Sequence, residues 1–135
     1  MSSNSDDMSS RRRTVYDIVG GSETFYQLTH EFYGRVYADP VLRPMFPDDR
    51  DGAEERLALF LVQYFGGPTT YSDQRGHPRL RMRHFRFVIG QKERDAWLGH
   101  MLAAIDTVEM PETARVTLRS YVDGAATFMI NREES

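Results

Sequence analysis

The sequence predicts an all-α fold, and three observations carry that expectation. From Thr14 onward apolar residues recur at helical rather than alternating spacing, no stretch reads as a strand, and Gly and Pro breaks divide the chain into helix-length segments. At 135 residues one core is expected, and a hydrophobic fraction of 40% with 8 Phe, 7 Tyr and 1 Trp supplies the material for it. Such aromatics wall a pocket as readily as they fill a core.

Residues 1–13 (MSSNSDDMSSRRR) hold almost nothing to bury and read as a disordered tail, with Arg11, Arg12 and Arg13 as a solvated flank. The domain is expected over 14–131, with a short C-terminal tail at 132–135. Gly20-Gly21 breaks a short first helix, and Ser22 is placed to N-cap the next. Phe25, Leu28, Phe32 and Val36 then share one face, with Tyr33 beside them. Asp39-Pro40 ends that helix because the residue before proline avoids the helical region. Phe46-Pro47 falls in an irregular stretch.

Ala53, Leu57, Phe60, Leu61 and Tyr64 form the next stripe, read as buried, and Gly66-Gly67-Pro68 stops it. Residues 69–78 read as a loop, rich in Thr, Ser, Asp and Gly. Pro78 suits the first turn of a short helix to about Arg86, and Phe87 and Ile89 are expected to fix a bend before Gly90. Trp97, Met101, Ala104, Ile105 and Val108 mark another helix. Pro111 opens the last, whose inner face is Ala114, Leu118, Tyr121, Val122, Ala125, Phe128 and Met129.

Composition excludes several classes of function. A net charge of −3 gives no general argument for nucleic acid or anionic membrane as a partner. With no cysteine, disulfides, thiolate chemistry, cysteine zinc sites and iron–sulfur clusters are out. No apolar run approaches the roughly 20 residues of a membrane span, and the N-terminus lacks the apolar core of a signal peptide, so the cytoplasm is the expected compartment.

Four histidines are candidates for holding something. His30 lies about 140° around its helix from Phe25, towards the polar side. His77 closes a Gly-containing loop, a poor place for a rigid axial bond. His100 flanks the Trp97 stripe as a boundary residue. His84 differs, because its segment carries Arg75, Arg79, Arg81, Arg83 and Arg86 with no acid among residues 74–86. Those cations need an anionic neighbour or open water. A haem offers two propionates at the edge of an apolar disc and an iron that takes one imidazole. The residues alone leave three readings open: a satisfied buried histidine, an iron ligand and, less well, part of a zinc site.

The series as a whole resembles the truncated haemoglobins, specifically their second group, over nearly all of residues 14–131. Four stretches carry the likeness: Tyr16-Asp17 with Val19-Gly20-Gly21; Phe32-Tyr33 followed by Asp39-Pro40-Val41-Leu42; Ala53-Glu54-Glu55-Arg56-Leu57 with Tyr64-Phe65-Gly66-Gly67-Pro68; and Gly76-His77-Pro78-Arg79-Leu80-Arg81-Met82-Arg83-His84 with Glu93-Arg94-Asp95-Ala96-Trp97-Leu98. The resemblance implies a shortened globin, helices two over two around haem b, with His84 as the proximal iron ligand. It implies that Tyr33 and Trp97 project into the distal side, that Phe46 packs on the haem edge, that Leu57 faces the gas, and that Ala53 stands where many globins place a gating polar residue. Phe60, Leu61, Tyr71, His77, Arg81, Arg83 and Phe87 are the expected cofactor contacts. Two positions depart from the pattern: Phe46 lacks a hydroxyl that some members carry, and Arg86 stands where relatives often have proline.

The implied function is reversible binding of oxygen, carbon monoxide or nitric oxide at a pentacoordinate iron, with Tyr33 O–H and Trp97 N–H as donors to the gas. The alternative is a redox enzyme, a nitric-oxide dioxygenase or peroxidase, supplied by a reductase. Peroxidase chemistry wants a distal acid–base residue, and none of the histidines obviously serves. A homodimer is the expected assembly if the protein is not monomeric.

Overall fold

The structure, a computed structural model, describes residues 13–75 and 90–128. Among the described residues all regular structure is helical: α1 (Val15–Ile18), α2 (Glu23–Tyr37), α3 (Arg50–Tyr64), α4 (Thr70–Arg75), α5 (Gln91–Thr107) and α6 (Glu112–Phe128), with a 3₁₀ turn at Arg43–Met45. Helix α2 packs on both α3 and α5, and α5 packs on α6.

The apolar stripe of α2 explains its central place. Phe25, Leu28, Phe32 and Val36 are all fully buried, and Thr29 among them satisfies its hydroxyl on the Tyr26 carbonyl at 3.2 Å. From α5, Met101, Ala104 and Ile105 meet this stripe, with Leu118 and Val122 of α6 in the same core. Burying a side chain of this size contributes roughly 1.5–3 kcal/mol, so the α2 stripe is a large share of the fold's stability.

Both Gly-Gly pairs close helices in the same way. After α1, Gly21 N–H reaches the Tyr16 carbonyl at 3.0 Å and Gly20 N–H reaches Asp17 at 3.1 Å. After α3, Gly67 N–H reaches Val62 at 2.8 Å and Gly66 N–H reaches Gln63 at 3.2 Å. These are paired Schellman closures, which place the first glycine in the left-handed region; φ is +86° at Gly20 and +105° at Gly66. Tyr16 N–H then donates to the Phe65 carbonyl at 3.0 Å, so the start of α1 is tied to the end of α3.

Within the described residues the expected helices are present, with four local differences. Ser22 sits at the N-cap of α2, but its side chain makes no capping bond and its backbone is already helical. Tyr64 is 57% exposed rather than buried. It lies at the rim of the α3 stripe, its ring 4.4 Å from that of Tyr121. In α6 Ala114 is buried as expected, but near the other end the buried alanine is Ala126, one residue beyond the expected Ala125, which is half-buried. Residues 70–75, read as loop, form α4. Its polar sequence hides two tertiary anchors: Gln63 brackets Ser72, accepting its N–H at 2.9 Å and donating to its hydroxyl at 2.7 Å, and Tyr71 is buried against Phe60. The expected proximal helix and the bend before Gly90 lie outside the described residues.

Gly20 and Gly66 differ in surroundings, and this separates two costs. A Cβ at Gly20 meets nothing, whereas one at Gly66 falls 2.4 Å from Thr14 side-chain carbons. Gly20→Ala is expected to lose about 1–2 kcal/mol from the left-handed backbone alone. Gly66→Ala should lose about 1–3 kcal/mol more from overpacking. Urea unfolding of the two variants at equal cofactor loading checks the order.

Candidate ligand-binding site

Four aromatic rings from three separate segments converge on one point. Phe32 of α2, with no exposed surface, is the centre. Tyr33 lies 5.3 Å away, Trp97 of α5 5.7 Å away and Phe46, just after the 3₁₀ turn, 6.4 Å away, all edge-to-face. Tyr33 and Phe46 also meet each other edge-to-face at 5.5 Å. Edge-to-face packing suits the ring quadrupole and adds roughly 0.5–1.5 kcal/mol per pair beyond area burial. Tyr33, Phe46 and Trp97, separated by up to 64 residues in sequence, are thus brought together.

Phe46 is positioned from behind. The Arg43 guanidinium lies 4.4 Å over the Tyr37 ring, donates to the Phe46 carbonyl at 3.0 Å and pairs with Asp48 at 2.9 Å. The Tyr37 hydroxyl donates to the Pro47 carbonyl, and its ring touches both Tyr33 and Phe46. Sequence reasoning missed Tyr37. The available signal was its position one turn after Tyr33 on the same helix face.

Tyr33 is 6% exposed, and burial pushes its phenol well above the ordinary tyrosine range. The neighbouring Tyr37 and Glu54 add to that rise, and Arg56 opposes it. The hydroxyl therefore keeps its proton and remains a donor, and no described group takes it up. From α3, which packs on α2, Ala53 is buried and Leu57, one turn on, is half-buried. Phe60, Leu61 and Tyr71 are buried further along the same side of α3 and on α4. Leu57, Phe46 and Trp97 pack on the core yet keep partial exposure, so an apolar surface borders the Tyr33 donor.

The other histidines take ordinary positions. His30 is exposed and pairs with Glu54 at 3.2 Å. His100 meets Asp39 at 2.7 Å across the gap between α5 and the end of α2. That hydrogen bond, with another from Val41 N–H, holds the Asp39 carboxyl below its usual range. His77, Arg81, Arg83, His84 and Phe87 lie outside the described residues.

The family model of the bacterial-like globins matches residues 14–131. The chain belongs to the bacterial-like globin family. It is 39% identical over 120 residues to the group 2 truncated haemoglobin YjbI of Bacillus subtilis, covering 89% of this chain and 90% of that one. Among solved structures it is similar to a thermostable haemoglobin from Thermobifida fusca, at 56% identity and a TM-score of 0.86, covering 90% of this chain and 99% of the other. It is also similar to the truncated oxygen-avid haemoglobin of Bacillus subtilis, at 38% identity and a TM-score of 0.82, covering 87% and 99%. The α2–α3 and α5–α6 pairs are accordingly the two layers of a two-over-two globin, and haem b is its cofactor. The described residues fit that group: an apolar wall for a flat macrocycle and one uncommitted, protonated phenol beside it.

Phe32 is the shared support of this wall. Phe32→Ala is expected to cost about 3–5 kcal/mol, measured by urea unfolding followed by circular dichroism. A loss under 1 kcal/mol would mean that the rings hold one another without it.

Proposed function

We propose that this truncated haemoglobin binds dioxygen and other diatomic gases reversibly, with His84 as proximal ligand and Tyr33 and Trp97 as distal donors. The observation that supports it most is the convergence of Tyr33, Phe46 and Trp97 on Phe32 from three segments. Haem b supplies an iron that takes one neutral imidazole on one side and a small gas on the other.

The protein's own groups then do three things. The His84 imidazole would hold the iron, and Arg81 and Arg83, close to it in sequence, would pair with the propionate carboxylates. Phe46, Leu57 and Trp97 keep water from the gas side, with Phe60, Leu61 and Tyr71 extending the apolar wall and Ala53 adding bulk without a donor. Tyr33 O–H and Trp97 Nε1–H are donors to the partial negative charge that dioxygen acquires on binding. Each neutral hydrogen bond contributes on the order of 0.5–1.5 kcal/mol, so the pair slows release by roughly one to two powers of ten. Ala53 offers no hydrogen bond, so retention rests on the phenol and the indole.

Three measurements test this reading. The visible spectrum of the purified protein should show a five-coordinate ferrous haem that takes up carbon monoxide. His84→Ala should lose that axial signature, and a fully loaded variant with an unchanged spectrum overturns the proximal assignment. Tyr33→Phe and Trp97→Phe should each speed oxygen release about two- to tenfold in stopped flow, and unchanged rates in both refute the distal one.

Burial also sets a pH dependence. Because it raises the Tyr33 phenol well above the ordinary value, the donor survives through the range where an exposed tyrosine ionises. Oxygen release between pH 7 and 10 should stay flat. A rise with a midpoint near 10 would mean that the phenol is solvated.

A further inference from the structure

Between the end of α2 and helix α5, the described contacts are apolar and aromatic except for one. Phe32 meets Trp97 edge-to-face, and Val36, Met101, Ala104 and Ile105 belong to the same buried cluster. Such surfaces are attractive but not directional, and they tolerate a small rotation or slide of one helix on the other. The exception is the hydrogen bond from His100 to Asp39, at 2.7 Å.

Both partners are held for the task. Asp39 lies two residues past the end of α2 and six after Tyr33. Its Oδ1 accepts Val41 N–H at 2.8 Å, while its backbone carbonyl accepts from Leu42 and Arg43, so the carboxylate cannot swing. An anion just beyond a helix C-terminus is disfavoured by the helix dipole, which makes its donors more valuable. Its lowered pKa keeps it ionised, hence an acceptor only, and the shared proton sits on His100 Nε2. On α5, His100 stands one turn after Trp97, at i+3, so the two side chains share a face. The side chains of His100 and Asp39 are 27% and 17% exposed, enough shelter to keep the bond from being solvated away.

We propose that His100, through its hydrogen bond to Asp39, is a positioning residue that sets the Trp97 indole relative to Tyr33 and thereby tunes gas retention. The bond fixes the rotation of α5 against the exit of the tyrosine-bearing helix. Apolar packing alone leaves that rotation loose. The inference rests on the proposed role of Trp97 as a distal donor, but its geometric half is independent of that role.

The chain has 1 Trp, so the carbon monoxide-saturated protein gives a single indole N–H proton resonance. His100→Ala should shift or broaden that signal and speed oxygen release about two- to tenfold. His100→Gln, which keeps a donor in reach of Asp39, should restore both. In a Trp97→Phe background, His100→Ala should add little to the release rate, because the effect passes through the indole. An unmoved indole signal in His100→Ala overturns the proposal whatever the release rates do. So does a moved signal with unchanged release, if Trp97→Phe itself speeds release. If Trp97→Phe is also without effect, the donor role of Trp97 fails, and the tuning of gas retention with it.

Discussion

The convergence of Tyr33, Phe46 and Trp97 depends on a single apolar contact, the dry packing of Phe32 between α2 and α5. The ring has no exposed surface, and the three side chains that face the site lean on it edge-to-face. A core of this kind is close-packed, so displacement of one ring is felt by each of the others. That is how a phenol from one helix, a phenyl from a turn and an indole from a third segment are brought to one place without a covalent or metal link among themselves. Stability and function therefore draw on the same atoms here, and the site has little freedom to drift apart from the core.

Around this contact the polar groups act as stops rather than as glue. Arg43, Tyr37 and the Pro47 carbonyl hold the turn that carries Phe46. Gln63 grips Ser72 and so brings Tyr71 under Phe60. Asp39 and His100 link the exit of α2 to α5. Each supplies the direction that apolar packing lacks, and each sits at the edge of the core, where the cost of desolvating a polar group is modest. The glycine closures serve the same end on the backbone, where one hydrogen bond ties the start of α1 to the end of α3.

The buried phenol shows how the environment decides the chemistry of an ordinary side chain. An exposed tyrosine is a donor until it ionises near pH 10. In the apolar surroundings of Tyr33 the ionised form is penalised further, so the group stays a donor beyond the pH at which an exposed tyrosine ionises. Ala53, one helix away, offers no competing polar atom, which leaves the hydroxyl free for a ligand.

Much of the architecture was legible in the order of residues alone. The fully buried set on α2 follows from the 3.6-residue period, and both Gly-Gly pairs announce helix ends because only glycine accepts the left-handed turn without strain. Ordered motifs at consistent spacing were enough to indicate the family. Periodicity could not tell that Tyr64 lies at the rim, that Ala126 rather than Ala125 is buried, or that polar residues 70–75 coil into α4, because each depends on what a neighbouring element offers. The same holds within the site. Sequence nominated Tyr33, Phe46 and Trp97 through resemblance, but their meeting on Phe32, the brace from Tyr37 and the Asp39–His100 bond join residues up to 65 apart. Local pattern specifies which face of a helix is apolar; only packing specifies which face it meets.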